Sequence, residues 1–217
     1  VIVTHPITSI AGASISKDDP MSVVQQRYKQ IEITLPPNIA FELIGHAFSV
    51  IPAAKDQWEV MTGDLNSKIS ASKIAVMKAA VVKSDSVMQH MLPIHPMAAL
   101  VLKNIASAFQ SNQRSMFDFI KTPKDLDVHA FQWFIQNTRP DSDRSLLTVD
   151  MLWDFFYEKG KDYLTSDIKL ILDTYPQQTN LTEKEKVVLK TILIMQAVDQ
   201  RLGGTIPVLK ATDQNLS

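Results

Sequence analysis

The chain has 217 residues, of which 45% are hydrophobic and 21% are charged, and its formal net charge is -1. This composition is typical of soluble globular proteins and excludes collagen-like, disulfide-stapled and disordered chains. The absence of cysteine excludes disulfides, iron–sulfur clusters, thiolate zinc sites and cysteine nucleophiles, and it fits a cytoplasmic location. No stretch reaches ~18 consecutive apolar residues, so we predict no membrane span.

The first 36 residues carry two short strand patterns. Residues 1–3 are apolar and β-branched, and residues 28–35 roughly alternate apolar and polar positions before two prolines. Two strands alone leave their edges and one face unpaired, so we expect them to need further strands. The sequence also opens on Val1 and ends within a helical pattern that begins at Thr212. We therefore interpret the 217 residues as a piece of a longer protein.

From Pro37 onward the apolar pattern becomes helical. Apolar residues recur at spacings of three and four, and prolines interrupt the pattern at positions 52, 93, 96 and 123. The first half predicts helices over 37–51, 66–91 and 97–109. It also predicts a short helix that Ser111 or Asn112 can cap, that carries the apolar residues of 116–120 and that stops before Pro123. The second half predicts helices over 128–137, 148–160, 166–175 and 182–202, with an exposed loop over 137–145.

Two local signals bound the last long helix. The segment Thr182-Glu183-Lys184-Glu185 is a capping box, which is the strongest helix-start signal in the chain. Gly203-Gly204 predicts the end of the same helix. Thr148 and Gly160 likewise predict the N-cap and the end of the helix over 148–160.

Three catalytic patterns do not occur in the sequence. The six glycines never form the loop with a following lysine that binds phosphate in P-loop proteins. His90 and His95 are five positions apart with Pro93 between them, which is not the spacing of a helical zinc site. No serine lies in a Gly-x-Ser-x-Gly elbow. We therefore predict neither a metal site nor a catalytic residue in this chain.

Four lysines at five-residue intervals raise the question of a nucleic-acid face: Lys68, Lys73, Lys78 and Lys83. Steps of five turn by about 140° around a helix, so these side chains scatter instead of lining one side. We favour solvated surface lysines on one helix.

The acidic and aromatic residues of the second half each have a structural and a functional interpretation. Asp150 and Asp154 are one turn apart near a predicted helix N-terminus, where the helix dipole stabilises carboxylates. We therefore favour structural placement over an acid–base pair. Seven aromatic residues could form a base-stacking platform, but helical spacing favours the core. They are Phe131, Trp133, Phe134, Trp153, Phe155, Phe156 and Tyr157.

Arg114 stands out by its position. It falls in the first turn of the short apolar helix that Ser111 or Asn112 is predicted to cap, where free backbone amides and the helix dipole favour an anion. An arginine there can bind a phosphate through two hydrogen bonds, with Asn112 and Gln113 as further anion-binding candidates. On chemistry alone, a surface ion pair worth ~0 to 1 kcal/mol is the better interpretation.

Two stretches of the sequence resemble a known family. PIHPMAAL at 93–100 and QSNQRSMFDFI at 110–120 are similar to a stretch of large bacterial P-loop ATPases associated with bacteriophage exclusion and defence. Residues 187–193 and 209–212 resemble the segment that follows it in those proteins. Residues 1–5 and 28–37 resemble strands that close their nucleotide-binding domain.

The resemblance implies a mainly α fold: a helical bundle with two short N-terminal strands and a partial winged-helix-like end. In this interpretation residues 1–36 end an α/β nucleotide-binding domain and 37–121 form an AAA+-like helical lid. Residues 122–180 form a helical connector, and 181–217 begin a winged-helix-like module.

The resemblance also implies a role for Arg114. In AAA+ proteins of the origin-recognition type, a sensor arginine at the start of a lid helix contacts the nucleotide γ-phosphate, and Arg114 matches that place. ATP and Mg would be held by the remainder of the same ATPase chain, because this sequence has no P-loop. DNA and an oligomeric assembly are further expected partners, whereas a membrane is not.

Two other functions remain open from the residues. The chain is alternatively a helical protein-interaction or scaffold module in which Arg114 is structural. It is otherwise a nucleic-acid-binding helical module, an interpretation that depends on the C-terminal tail and the scattered lysines.

Overall fold

The computed structural model describes residues 39–105, 116–123, 127–139 and 141–216, and these residues are mainly helical. All of them belong to the second of two units, Val1–Pro36 and Pro37–Ser217. The mainly α fold is therefore confirmed for the described part, which contains no strand beyond one isolated bridge between Ile94 and Leu147. Both strands predicted before Pro37 lie outside the described residues.

Helices of very different length make up the described chain. They are α1 (Ile39–His46), α2 (Lys55–Lys68), α3 (Ser70–Ala79), α4 (Asp85–His90), α5 (Pro96–Ile105), α6 (Met116–Lys121), α7 (Phe131–Asn137), α8 (Ser166–Leu172), α9 (Glu183–Arg201) and α10 (Asp213–Leu216). Short 3-10 turns lie at Pro52–Ala54, Val149–Leu152, Lys161–Tyr163, Tyr175–Gln177 and Pro207–Leu209, and a π-helical turn at Asp154–Glu158. No helix in these ranges combines the length and apolar character needed to cross a membrane.

Helix α5 lies at the centre of the core. It contacts α1, α3, α6, α9 and the 3-10 turn Val149–Leu152. Every residue from Pro96 to Leu102 is buried, so this helix is apolar on all sides, as expected for a helix surrounded by others.

The start of α5 is held by His95. Its Nδ1 accepts the backbone N–H of Met97 at 3.2 Å, which satisfies one of the free amides of the first turn. The backbone N–H of His95 donates to the Leu147 carbonyl at 3.0 Å, and the backbone N–H of Leu147 donates to the Pro93 carbonyl at 2.9 Å. Burial lowers the pKa of His95 to about 4, so the imidazole is neutral and able to accept at pH 7.

The ends of α9 are as predicted. The Thr182 Oγ1 accepts the Glu185 N–H at 3.3 Å, and the Glu185 carboxylate accepts the Thr182 N–H at 2.8 Å, which confirms the capping box. At the other end Gly203 and Gly204 adopt left-handed backbone conformations with φ of 70° and 69°. The Gly204 N–H donates to the Asp199 carbonyl at 2.8 Å, which closes the helix.

The single helix predicted over 66–91 is wrong. The backbone leaves helical geometry at Ile69 and again after Ala79, where Val81 adopts a left-handed φ of 56°. The first break lets Leu65 and Ile69 pack with Leu92 in a small separate cluster. Periodicity within one segment does not report such a contact, because the partner lies elsewhere in the sequence.

Other boundaries also differ from the prediction. The helix predicted over 37–51 ends at His46, and the helix predicted over 166–175 ends at Leu172. Helix α2 lacks a clear apolar stripe and was not predicted from the sequence. The helix predicted from Thr148 is a 3-10 turn followed by a π-helical turn, and the Thr148 hydroxyl bonds the Asp150 side chain instead of a backbone amide.

Gly160 is required where the π-helical turn ends. A Cβ at this position would overlap the Phe156 carbonyl oxygen and approach the Phe155 carbonyl oxygen to 3.0 Å. We expect Gly160→Ala to lower the free energy of unfolding by about 1–3 kcal/mol, because the backbone must move apart. The matched control is Gly63→Ala within α2, where an added Cβ meets nothing within 4 Å. The control should raise stability by about 0.5–1 kcal/mol in urea unfolding; equal effects of both variants would contradict this account.

His95 should make stability depend on pH. Its pKa is about 4 in the fold against an ordinary 6.5, so the unfolded chain binds the proton first as the pH falls. Stability is therefore lost between pH 6.5 and 4, by about 2 kcal/mol at pH 5. His95→Asn keeps a capping acceptor without a titrating ring. Urea unfolding at pH 8 and pH 5 should show a smaller loss for the variant, and an identical loss would refute this role.

Candidate functional site

The predicted nucleotide-sensing residue lies outside the described residues. Arg114 and its neighbours Asn112 and Gln113 fall in the range 106–115, so their interpretation stays a prediction. The helix that follows them is described. Helix α6 starts at Met116, and its Phe119 is fully buried against the rings of Phe155 and Phe156, at centroid distances of 5.4 Å and 5.8 Å.

A groove of about 580 Å³ lies beside α7. Its walls come from α6, α7, the loop 138–147, the segment 150–154 and α9, and we call it the α7 groove. The volume is in the range of small-ligand sites. A second cavity of about 10 Å³ lies among apolar side chains of the core, which leaves room for one water molecule at most.

An aromatic stack stands at the α7 groove. The rings of His129 and Trp133 lie 3.9 Å apart at an angle of 19°. Of the seven aromatic residues predicted to be in the core, Trp133 is the only one that is not buried. The core prediction is therefore wrong for Trp133 and confirmed for the other six.

The two carboxylates at the groove are engaged by neighbouring groups. Asp150 is 8% exposed, and it accepts hydrogen bonds from the Arg144 guanidinium and from the Thr148 hydroxyl, the latter at 2.6 Å. Asp154 accepts the backbone N–H of His129 at 2.6 Å. Both acids therefore make structural hydrogen bonds, and each also lies in the first turn of its short helical element.

The cations of the groove outnumber its acids. Arg144 is paired with Asp150, but Arg139 and Lys190 have no carboxylate within 4.0 Å among the residues that the structure describes. Lys190 Nζ lies 5.8 Å from the ring centre of Trp153 and 5.1 Å from that of Tyr175, which is a cation–π geometry. Three cations thus face two carboxylates, which leaves one formal positive charge in the groove to favour an anion, although Lys190 is also attracted to Glu183 at the start of α9.

The lysine series does not form a second basic surface. Lys73 is buried and pairs with Asp85 at 2.8 Å and with the Asn66 side chain at 2.9 Å, so its prediction as a solvated lysine is wrong. Lys68 pairs with Asp64 at 3.0 Å. The four residues are also spread over α2, α3 and the segment after α3, because the helix predicted to carry them is interrupted; only Lys73 and Lys78 share a helix.

The carboxylates and the imidazole of the groove are engaged with neighbouring groups. Its carboxylates are held by hydrogen bonds and its imidazole lies flat on an indole, so no side-chain pair is arranged as nucleophile and base. Across the described ranges, no three histidine, aspartate or glutamate side chains are close enough together to hold a metal ion.

Sequence reasoning missed the groove. Arg139 and Arg144 lie in the loop that was predicted to be exposed, and Lys190 lies far along the chain in α9. The available signal was the pair of arginines that follows an aromatic helix. Nothing local relates them to Lys190.

Comparison with family models, with curated protein sequences and with solved structures gave no match.

Asp150 should anchor one wall of the groove. We expect Asp150→Asn to lower the free energy of unfolding by about 1–2 kcal/mol, because it weakens two hydrogen bonds to a buried carboxylate. The lower part of the usual range applies since Arg144 is half exposed and its attraction is screened. The exposed Asp143→Asn is the control and should change stability by less than about 0.5 kcal/mol. Thermal unfolding measures both, and a neutral Asp150→Asn would show that the wall does not need this charge.

Proposed function

We propose that this chain is a helical, non-hydrolysing part of a larger P-loop ATPase that acts in phage defence or DNA transactions. In this proposal residues 37–121 act as the lid, 122–180 as a connector and 181–217 as the start of a winged-helix-like module. Residues 1–36 complete the nucleotide-binding domain. ATP and Mg bind to the remainder of the ATPase chain, and Arg114 contacts the nucleotide.

One observation carries the proposal: the two stretches of resemblance meet in a single core. PIHPMAAL begins at Pro93 and forms the entry and first turns of α5, which is buried from Pro96 to Leu102. The second stretch ends in α6, whose Met116, Phe119 and Ile120 are buried in the same core. Helices α5 and α6 contact each other directly. Apolar motifs that pack together are what a shared structural unit of a family requires.

The packing of α6 also supports a route from nucleotide to groove. Arg114 stands two positions before Met116 in the sequence. Phe119 of α6 packs on Phe155 and Phe156 and also lines the α7 groove. A displacement of α6 that follows nucleotide hydrolysis would therefore reach the groove through one buried ring.

The alternative of a helical interaction module has one observation in its favour. Trp133, Arg139 and Lys190 line the α7 groove. A partner could bind these side chains whether or not Arg114 contacts a nucleotide. The two functions differ in what the full-length gene encodes. A P-loop ATPase must carry Gly-x4-Gly-Lys-Ser/Thr upstream of Val1, and its absence from the gene would reject the ATPase proposal.

The role of Arg114 is tested in the full-length ATPase. We expect Arg114→Ala to lower ATP turnover by at least ~10-fold, since an arginine on the γ-phosphate stabilises the charge of the transition state. The control is Arg201→Ala at the end of α9, where the arginine lies 3.6 Å from Asp167. The control should keep wild-type turnover. Unchanged turnover in Arg114→Ala would refute the sensor role and leave the interaction module.

A further inference from the structure

We propose that the α7 groove binds single-stranded nucleic acid, with one base stacked on the His129–Trp133 pair and the flanking phosphates at Arg139 and Lys190. This site is independent of the sensor role of Arg114, because none of its residues lies in the range 106–115.

The stack supplies the base-binding element. His129 is exposed and lies parallel to the Trp133 indole at 3.9 Å, so a third planar ring extends the stack at the imidazole. Base-on-aromatic stacking tolerates any base, because every base has a π-face. The bases of a duplex are already stacked on each other. We therefore expect the groove to bind an unstacked base of a single strand.

The acids of the groove do not cancel its cations. The Asp150 carboxylate already bonds Arg144 and Thr148, and the Asp154 carboxylate accepts the His129 N–H. The hydrogen bond from the His129 N–H to Asp154 also fixes the position of the His129 backbone, which carries the imidazole. Asp154 therefore positions the stack but keeps its negative charge, so the attraction for a phosphate comes from Arg139 and Lys190.

The two cations come from different walls. Arg139 follows α7 in the loop and is exposed, whereas Lys190 rises from α9 and lies over the rings of Trp153 and Tyr175. A strand places a phosphate on each side of every base, so cations on separate elements suit consecutive phosphates. A groove of about 580 Å³ also exceeds the space that one base ring fills.

The expected affinity is low and salt-dependent. The chain carries a net charge of -1, so long-range attraction is weak and binding depends on the local cations. Two phosphate contacts predict a slope of about -1.4 for log K against log salt, at roughly -0.7 per phosphate of a single strand. We expect a dissociation constant of about 10⁻⁶ to 10⁻⁴ M at low salt.

The test is fluorescence anisotropy of a labelled 15-mer of deoxythymidine titrated with the full 217-residue chain. His129→Ala should weaken binding by about fivefold to a hundredfold and leave the salt slope unchanged, because it removes the ring on which the base stacks. Trp133→Ala removes the ring that supports the imidazole and should weaken binding in the same direction. Arg139→Gln and Lys190→Gln should each reduce the slope by about 0.7. Lys184→Gln is the matched control, since Lys184 lies exposed on α9 outside the groove, and it should change neither quantity.

Three results would overturn the proposal. The first is no binding of the 15-mer by a folded wild-type chain at 50 mM salt. The second is binding that Lys184→Gln weakens as much as Lys190→Gln, because the contact would then be general charge. The third is competition by adenosine monophosphate or inorganic phosphate alone as strong as by the 15-mer, which would assign the groove to a small anion. Circular dichroism checks the fold of each variant, and the exposed Arg139 keeps the test decisive if Trp133→Ala does not fold.

Discussion

The backbone bonds between Leu147 and the segment 93–95 join two parts of the chain that are far apart in the sequence. On one side of this pair α5 begins, and the buried helix places its apolar surface at the centre of the core. On the other side the chain continues into the 3-10 and π-helical turns that carry Trp153, Phe155 and Phe156. Both sides insert into one core, so each fixes the position of the other. The neutral imidazole of His95 belongs to the same junction because it caps α5.

The geometry of the α7 groove depends on the pairing between Leu147 and the segment 93–95. Leu147 is part of the groove wall, and Arg144 and Asp150 lie within a few residues of it on either side. Asp154 follows in the π-helical turn and ties the backbone at His129. The groove therefore depends on how two distant segments pair. Arg139 and Lys190 are the cations of the groove that make no ion pair with its carboxylates.

Much of the fold follows from local signals. The capping box at Thr182, the glycines at 203 and 204 and the short apolar helix before Pro123 are where the sequence predicts them. Each of these signals acts through bonds between residues a few positions apart, so the sequence contains both partners. The burial of six aromatic residues also follows from their spacing, because aromatic residues that recur on one helix face form an apolar surface that packs against the core.

The sequence by itself determined the mainly helical class, the ends of α9, the structural nature of Asp150 and Asp154, and the absence of a P-loop. Tertiary structure alone decided the interruption of the helix at Ile69, the burial of Lys73 against Asp85 and the partial exposure of Trp133. It also decided the groove, whose walls come from five parts of the chain. The physical reason is the range of the interactions: caps and turns are closed within about one helical turn, whereas a binding surface is set by which distant side chains the core brings together.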